Sequence, residues 1–148
     1  MVSDNAEAEA EAVASWLADR VREGIKPGEI AVFVRSPAQL DRARKAVGAA
    51  GIPFEVLDEN LITASGHVSV GTMHLAKGLE FRGVVVMACD DGVIPLQERI
   101  EAVADDADLE EVYDTERHLL YVACTRAREH LLVTGVDPPS EFLDDLLV

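Results

Sequence analysis

The chain is short of positive charge, almost without cysteine, and free of any apolar run long enough to cross a bilayer. Lys and Arg number 13 against 28 Asp and Glu, a net charge of −15, which counts against a nucleic-acid binder whose grip comes from overall charge. The two cysteines, Cys89 in a strand-like run and Cys124 in a helix-like one, lack the CxxC spacing of a metal site and read as buried free thiols. The N-terminus, Met-Val-Ser-Asp-Asn-Ala-Glu-Ala-Glu-Ala-Glu-Ala, has neither a basic region nor an apolar core, so no export signal is expected and the expected location is cytoplasmic. No GxxxxGK[ST] occurs, and no strand ends in a paired acidic motif; a self-contained phosphate cradle and magnesium site are therefore excluded. No internal repeat is visible.

What is present is enough for one core. With 148 residues and 49% hydrophobic content the chain suits a single domain over 1–148. The charge is also unevenly spread. Acidic residues gather in the first helix-like segment, between Asp90 and Glu116, and after Asp137, whereas Lys77, Arg82, Arg126 and Arg128 lie elsewhere. The acidic runs read as solvated surface, and a local basic face stays open.

Periodicity predicts a helix from Asp4 to Gly24 with Val13, Trp16, Leu17 and Val21 on one face. Glu29–Ser36 holds a continuous apolar run and predicts a buried strand. Ser36-Pro37 then opens a helix with Leu40, Ala43, Val47 and Ala50 inward. Short strands follow at Gly51–Leu57 and His67–Gly71, and Gly83–Asp91, apolar on both faces, is expected at the centre of the sheet. Thr115–Ala127 reads as a helix, His130–Gly135 as the last strand, and a short helix from Ser140 closes the chain. Residues 97–111 read as either an exposed helix or a mobile loop. The order predicts an α/β fold: a mainly parallel sheet with helices on both faces.

Between two buried strands stands Thr72-Met-His-Leu-Ala-Lys-Gly-Leu-Glu-Phe81. Polar groups so close to a core need partners from the protein or from a ligand. Ligands of open α/β sheets gather at the carboxyl ends of the strands, where this stretch is expected to emerge. Read alone, Lys77-Gly78 could be no more than a helix end with its C′ glycine, and Arg126 and Arg128 could simply answer a helix dipole. His67, His118 and His130 have no spacing that makes them a metal set.

Together the motifs resemble a known family. Thr72-x-His74-x-x-Lys77-Gly78-Leu79-Glu80-Phe81 resembles motif V of the UvrD/Rep/PcrA group of superfamily 1 DNA helicases, and Glu116–Arg128 resembles their motif VI. Gly92-Val-Ile-Pro95 and an acidic stretch separate the two, as in that group. Ile30–Leu40 and Ala50–Leu57 are similar to the opening of the family's second motor lobe. The resemblance implies a RecA-like, P-loop NTPase-type three-layer sandwich. It differs from the family in three respects: only Asp58–His67 stands where a large helical insertion often lies, the first lobe's motifs are missing, and no Tyr-Arg-Ser motif precedes the first helix.

The roles that follow are what the resemblance implies. The function would be the C-terminal motor lobe of an ATP-dependent DNA helicase or translocase of 3′–5′ polarity, of the kind used in DNA repair, and inactive alone. Arg126 would be the catalytic arginine finger; Glu80, Gly78 and Lys77 would join it in binding ATP; Thr72 and His74 would contact single-stranded DNA. ATP with Mg²⁺ would be held mainly by a first RecA-like lobe, in the same or a partner protein. No membrane and no metal ligand of its own are expected. A stand-alone regulatory or interaction module derived from such a lobe is the rival reading.

Overall fold

The structure, a computed structural model, describes residues 1–58 and 66–146. Its elements are β1 (Val2–Ser3), α1 (Ala6–Arg22), β2 (Ile30–Val34), α2 (Leu40–Ala49), β3 (Phe54–Val56), β4 (Val68–Thr72), β5 (Phe81–Val86), α3 (Gln97–Glu101), α4 (Asp106–Cys124), β6 (Ala127–Val133), β7 (Gly135–Val136) and α5 (Leu143–Leu146). Most of the short linker read at 58–67 lies outside the described residues.

Five strands form the main sheet in the order β3-β4-β2-β5-β6, every pair parallel. Because side chains alternate along a strand, β2 splits its apolar run between two cores. Ile30, Val32 and Val34 pack with Val13 and Leu17 of α1 and Ala43 and Val47 of α2. Ala31 and Phe33 pack with Leu120 and Ala123 of α4. The strand needs no polar face since both sides are covered, which is why it reads as unbroken hydrophobicity. β5 does the same, with Val85, and Met87 just after the strand, on the α1/α2 side and Val84 and Val86 on the α4 side. It is an interior strand, though the middle place expected for it belongs to β2, and β3 lies at one edge.

The helix ends follow their chemistry. Asn5 caps α1 by accepting from the Ala8 N–H at 2.8 Å, with Glu7 and Glu9 in the first turn and Arg20 and Arg22 in the last, the arrangement the helix dipole favours. α4 starts well before the predicted Thr115: Asp105 accepts from the Asp108 N–H at 2.9 Å, and Asp106 and Asp108 occupy its first turn. The acidic stretch is thus mostly helix, its carboxylates stabilising an N-terminus that shows little apolar periodicity.

On the α1/α2 side a buried carboxylate ties the N-terminal helix to the sheet. Glu9, 0% exposed, accepts from the Ala88 N–H at 2.9 Å, from the Thr134 hydroxyl at 2.9 Å and from Arg42 at 2.5 Å. Arg42 also reaches Asp90 at 2.6 Å. β1 pairs in parallel with β7, and Gly135 there has no room for a side chain: a Cβ would sit 2.5 Å from the Cys89 carbonyl oxygen. Among the described residues no helix is long and apolar enough to cross a membrane.

Candidate functional site

Residues 73–80 have to carry the chain from one end of the sheet to the other. Thr72, the last residue of β4, pairs opposite Val34 at the carboxyl end of β2, whereas Gly83 of β5 pairs opposite Ile30, where β2 begins. That is a return of roughly 15 Å at about 3.3 Å per strand residue. A helical crossover takes about a dozen residues or more, so none fits. The chain instead makes a single 3₁₀ turn at Met73–Leu75 and a second turn with the Leu79 N–H donating to the Ala76 carbonyl at 3.1 Å. Gly78 takes φ +82°, a left-handed conformation that glycine adopts without steric cost. The expectation that the whole stretch emerges at the carboxyl edge is therefore corrected. Only its first residues do, and Lys77–Glu80 approach the amino edge.

Met73 and Ala76 enter the core beside Leu120 and Ala123 of α4. His74, Lys77 and Gly78 are left outside, forming one wall of a groove of about 550 Å³ whose other wall is His118, Val122 and Arg126. Four of the six residues expected at the site are thus brought together. The groove end is sealed by backbone, the Phe81 N–H donating to the Arg126 carbonyl at 3.0 Å. Arg126 lies back on its helix, Nε donating to the Val122 carbonyl at 3.1 Å and Nη2 to the Thr125 hydroxyl at 3.2 Å, so it does answer the helix end as its sequence position allowed.

Thr72 and Glu80 stand apart from this groove. Strand alternation places Thr72 on the face of Val68 and Val70, toward α2. Glu80 is exposed just before β5. Tyr121, 61% exposed, does not pack in the core.

Arg35 and Glu116 are the residues that the sequence reading missed. Continuing the alternation of β2, Arg35 turns to the α4 side, where its Nε and Nη2 donate to the two oxygens of Glu116 at 2.8 and 2.7 Å. The same carboxylate accepts from the Leu96 N–H at 2.7 Å and from Arg99 at 2.8 Å. Burial pushes the Glu116 carboxyl up, but the hydrogen bonds from Arg35, Leu96 and Arg99 outweigh it and hold it below the ordinary glutamate value. His74 is moved down, first by partial desolvation and then by Arg35, with Glu116 opposing and Arg99 adding a little. A signal was available: Arg35 continues the alternation of β2 one residue past the buried Val34, and Glu116 lies one helical turn before the buried Leu120.

In chemical terms the groove offers cationic and N–H donors. They suit phosphoryl or other anionic oxygens. They do not suit a divalent cation, and among the described residues no group of three or more His, Cys, Asp or Glu side chains gathers that could hold one.

A parallel sheet between two helical layers, with a motif-bearing turn and a helix end sharing one groove, defines a three-layer α/β lobe. The chain belongs to the UvrD-like helicase C-terminal domain family, whose model matches residues 58–137. It is 41% identical over 93 residues to the ATP-dependent DNA helicase UvrD1 of Mycobacterium leprae, covering 55% of this chain and 11% of that protein. It is 36% identical over 90 residues to DNA helicase II of Rickettsia typhi, covering 61% and 12%, and 35% identical over 95 residues to the helicase PcrA of Bacillus subtilis, covering 54% and 12%. The chain therefore spans about a tenth of the length of these relatives. Among solved structures it is similar to the C-terminal domain of a possible DNA helicase from Lactobacillus plantarum WCFS1, with a TM-score of 0.68 and 28% identity over 96% of this chain and 75% of that one.

Proposed function

We propose that this chain is the second motor lobe of an ATP-dependent DNA helicase or translocase working 3′ to 5′, and that it completes an ATP site whose phosphate cradle lies on another lobe. The observation that carries this is the shared groove: His74, Lys77 and Gly78 from one motif face Arg126 from the other. Lys77 and the Arg126 guanidinium supply positive charge for phosphoryl oxygens, and Arg126 stabilises the charge that develops as the γ-phosphoryl group transfers. Glu80 accepts from ribose hydroxyls. Thr72 and His74, nearer the carboxyl edge, contact single-stranded DNA. The crossover then spans both duties, one end at the nucleotide and the other at the strand. Mg²⁺ is assigned to the other lobe, because the groove has donors of the wrong sign for it.

The chain alone is expected to show no ATPase activity, since a finger acts only on phosphates and water that another element has positioned. Mixing it with its first lobe should restore DNA-dependent hydrolysis, measured as phosphate release. Hydrolysis by the chain alone would overturn the division of labour. Failure of any first lobe to restore it would favour the rival reading, an interaction module, for which the net charge of −15 is the supporting observation.

Single-stranded DNA should bind the chain weakly and with a shallow salt dependence, because few cations are available to displace counterions. Titration of a labelled oligonucleotide at two salt concentrations measures this. A Thr72→Ala/His74→Ala double variant that binds unchanged would remove these residues from the DNA track.

A further inference from the structure

The Glu116 carboxylate joins four parts of the fold. It sits on α4 and is 0% exposed. Both of its oxygens are doubly engaged: one accepts from Arg35 Nε and the Leu96 N–H, the other from Arg35 Nη2 and Arg99. Two guanidinium groups share one carboxylate, so the cluster carries a net positive charge. Its place relative to the crossover is fixed by register. Val34 pairs with Thr72, which puts Arg35 level with the start of the 3₁₀ turn that carries His74. From α4, Glu116 lies one helical turn before Leu119, which lines the same groove as His74.

We propose that Glu116 is a positioning residue for the crossover: by clamping Arg35 and Arg99 on one carboxylate, it fixes the positive charge that His74 faces. This rests on the reading of His74 as a DNA contact only for its functional consequence. The charged and titratable groups around His74 are Lys77 on its own turn, Glu116, His118 and Arg126 from α4, Arg35 from the end of β2 and Arg99 from α3. Partial burial first, and then the excess of two arginines over one carboxylate, lower the His74 pKa from its ordinary value, which favours the uncharged ring in contact with DNA. Loss of an arginine from the clamp makes His74 protonate at higher pH. Loss of the carboxylate charge does the opposite.

The test is a proton NMR titration of the histidine ring signals in this chain. Arg99→Ala, a change at a residue whose side chain is 36% exposed, should move the His74 titration upward, while His67 and His130 keep theirs. Glu116→Gln should move His74 downward; should that variant not fold, Arg99→Ala carries the test by itself. A folded Arg99→Ala variant with an unmoved His74 would overturn the proposal, and so would a shift shared equally by all the histidines. Oligonucleotide binding separates the two readings. If Arg99→Ala shifts His74 and also strengthens binding as pH falls toward 6, both stand; if His74 shifts but His74→Ala binds DNA like the parent, the clamp stands and the DNA assignment fails.

Discussion

Arg126→Ala, introduced into an enzyme that joins this lobe to its phosphate-holding partner, should lower ATP turnover by about a thousandfold or more while changing ATP binding far less. The size of the effect reflects where the guanidinium works. Charge spread over the transferring phosphoryl group exists fully only in the transition state, so a donor aimed there adds little to ground-state affinity. In the lobe by itself the same side chain is occupied by the Val122 carbonyl and the Thr125 hydroxyl. On the proposed reading, engagement would exchange these two neutral acceptors for anionic ones, a favourable trade once the site is closed to water. Arg126→Lys should recover little, because an ammonium lacks the planar fork. Single-turnover and steady-state assays with and without DNA would measure both variants. Near-normal turnover with Arg126 removed would reassign the finger.

Glu116→Ala should cost the isolated chain about 3–5 kcal/mol of stability, read from urea or thermal unfolding, because removing one partner of a buried pair strands the other. Here it strands Arg35, whose side chain is 5% exposed, and leaves the Leu96 N–H without its acceptor. Combining Glu116→Leu with Arg35→Met should recover much of the loss, since replacing both partners by apolar groups of similar size removes the uncompensated charge. The pH dependence has a definite sign. The Glu116 carboxyl is held below its unfolded value, so its contribution is fully present above the ordinary glutamate pKa and fades as pH falls through the lower, folded one. Acid should therefore destabilise the parent more than Glu116→Gln. Parallel stability–pH curves would show that the clamp does not titrate with folding.

The sheet and its layers were legible because strands covered on both sides leave a plain mark. Ile30–Val34 and Gly83–Met87 are apolar throughout, and no amphipathic alternative competes. That the two motif segments meet is seen only in the fold: His74, Lys77 and Gly78 stand close together on one turn, and Arg126 follows a helix that packs on it. The course of the chain between β4 and β5 was not legible. Nothing local in residues 73–80 says that β2 lies between the two strands, and that neighbour relation is what forces the crossover to run the length of the sheet. α4 was read too short because its first half is held by capping and dipole effects at Asp105, Asp106 and Asp108, which leave no apolar stripe to count. Arg35 and Glu116 went unpaired because they are 81 residues apart in sequence, and only the shared face of β2 and α4 brings them together.

The order of the strands also bears on where this unit can be cut. The segment matched by the family model runs from residue 58 to 137 and includes β4, β5 and β6. Yet β4 and β5 do not touch; each is hydrogen-bonded to β2, which lies outside that segment. A fragment trimmed to the matched residues would have a vacant slot through the middle of its sheet, with Val70 and Val85 bare along both sides and Glu116 deprived of Arg35. Expressed on its own it should aggregate or recruit a strand from elsewhere, whereas one beginning at α1 retains the Glu9 tie to Ala88 and Thr134. The region most similar to relatives is thus not the smallest piece that can fold, and deletion series on lobes of this kind are better planned from ladder partners than from alignment limits.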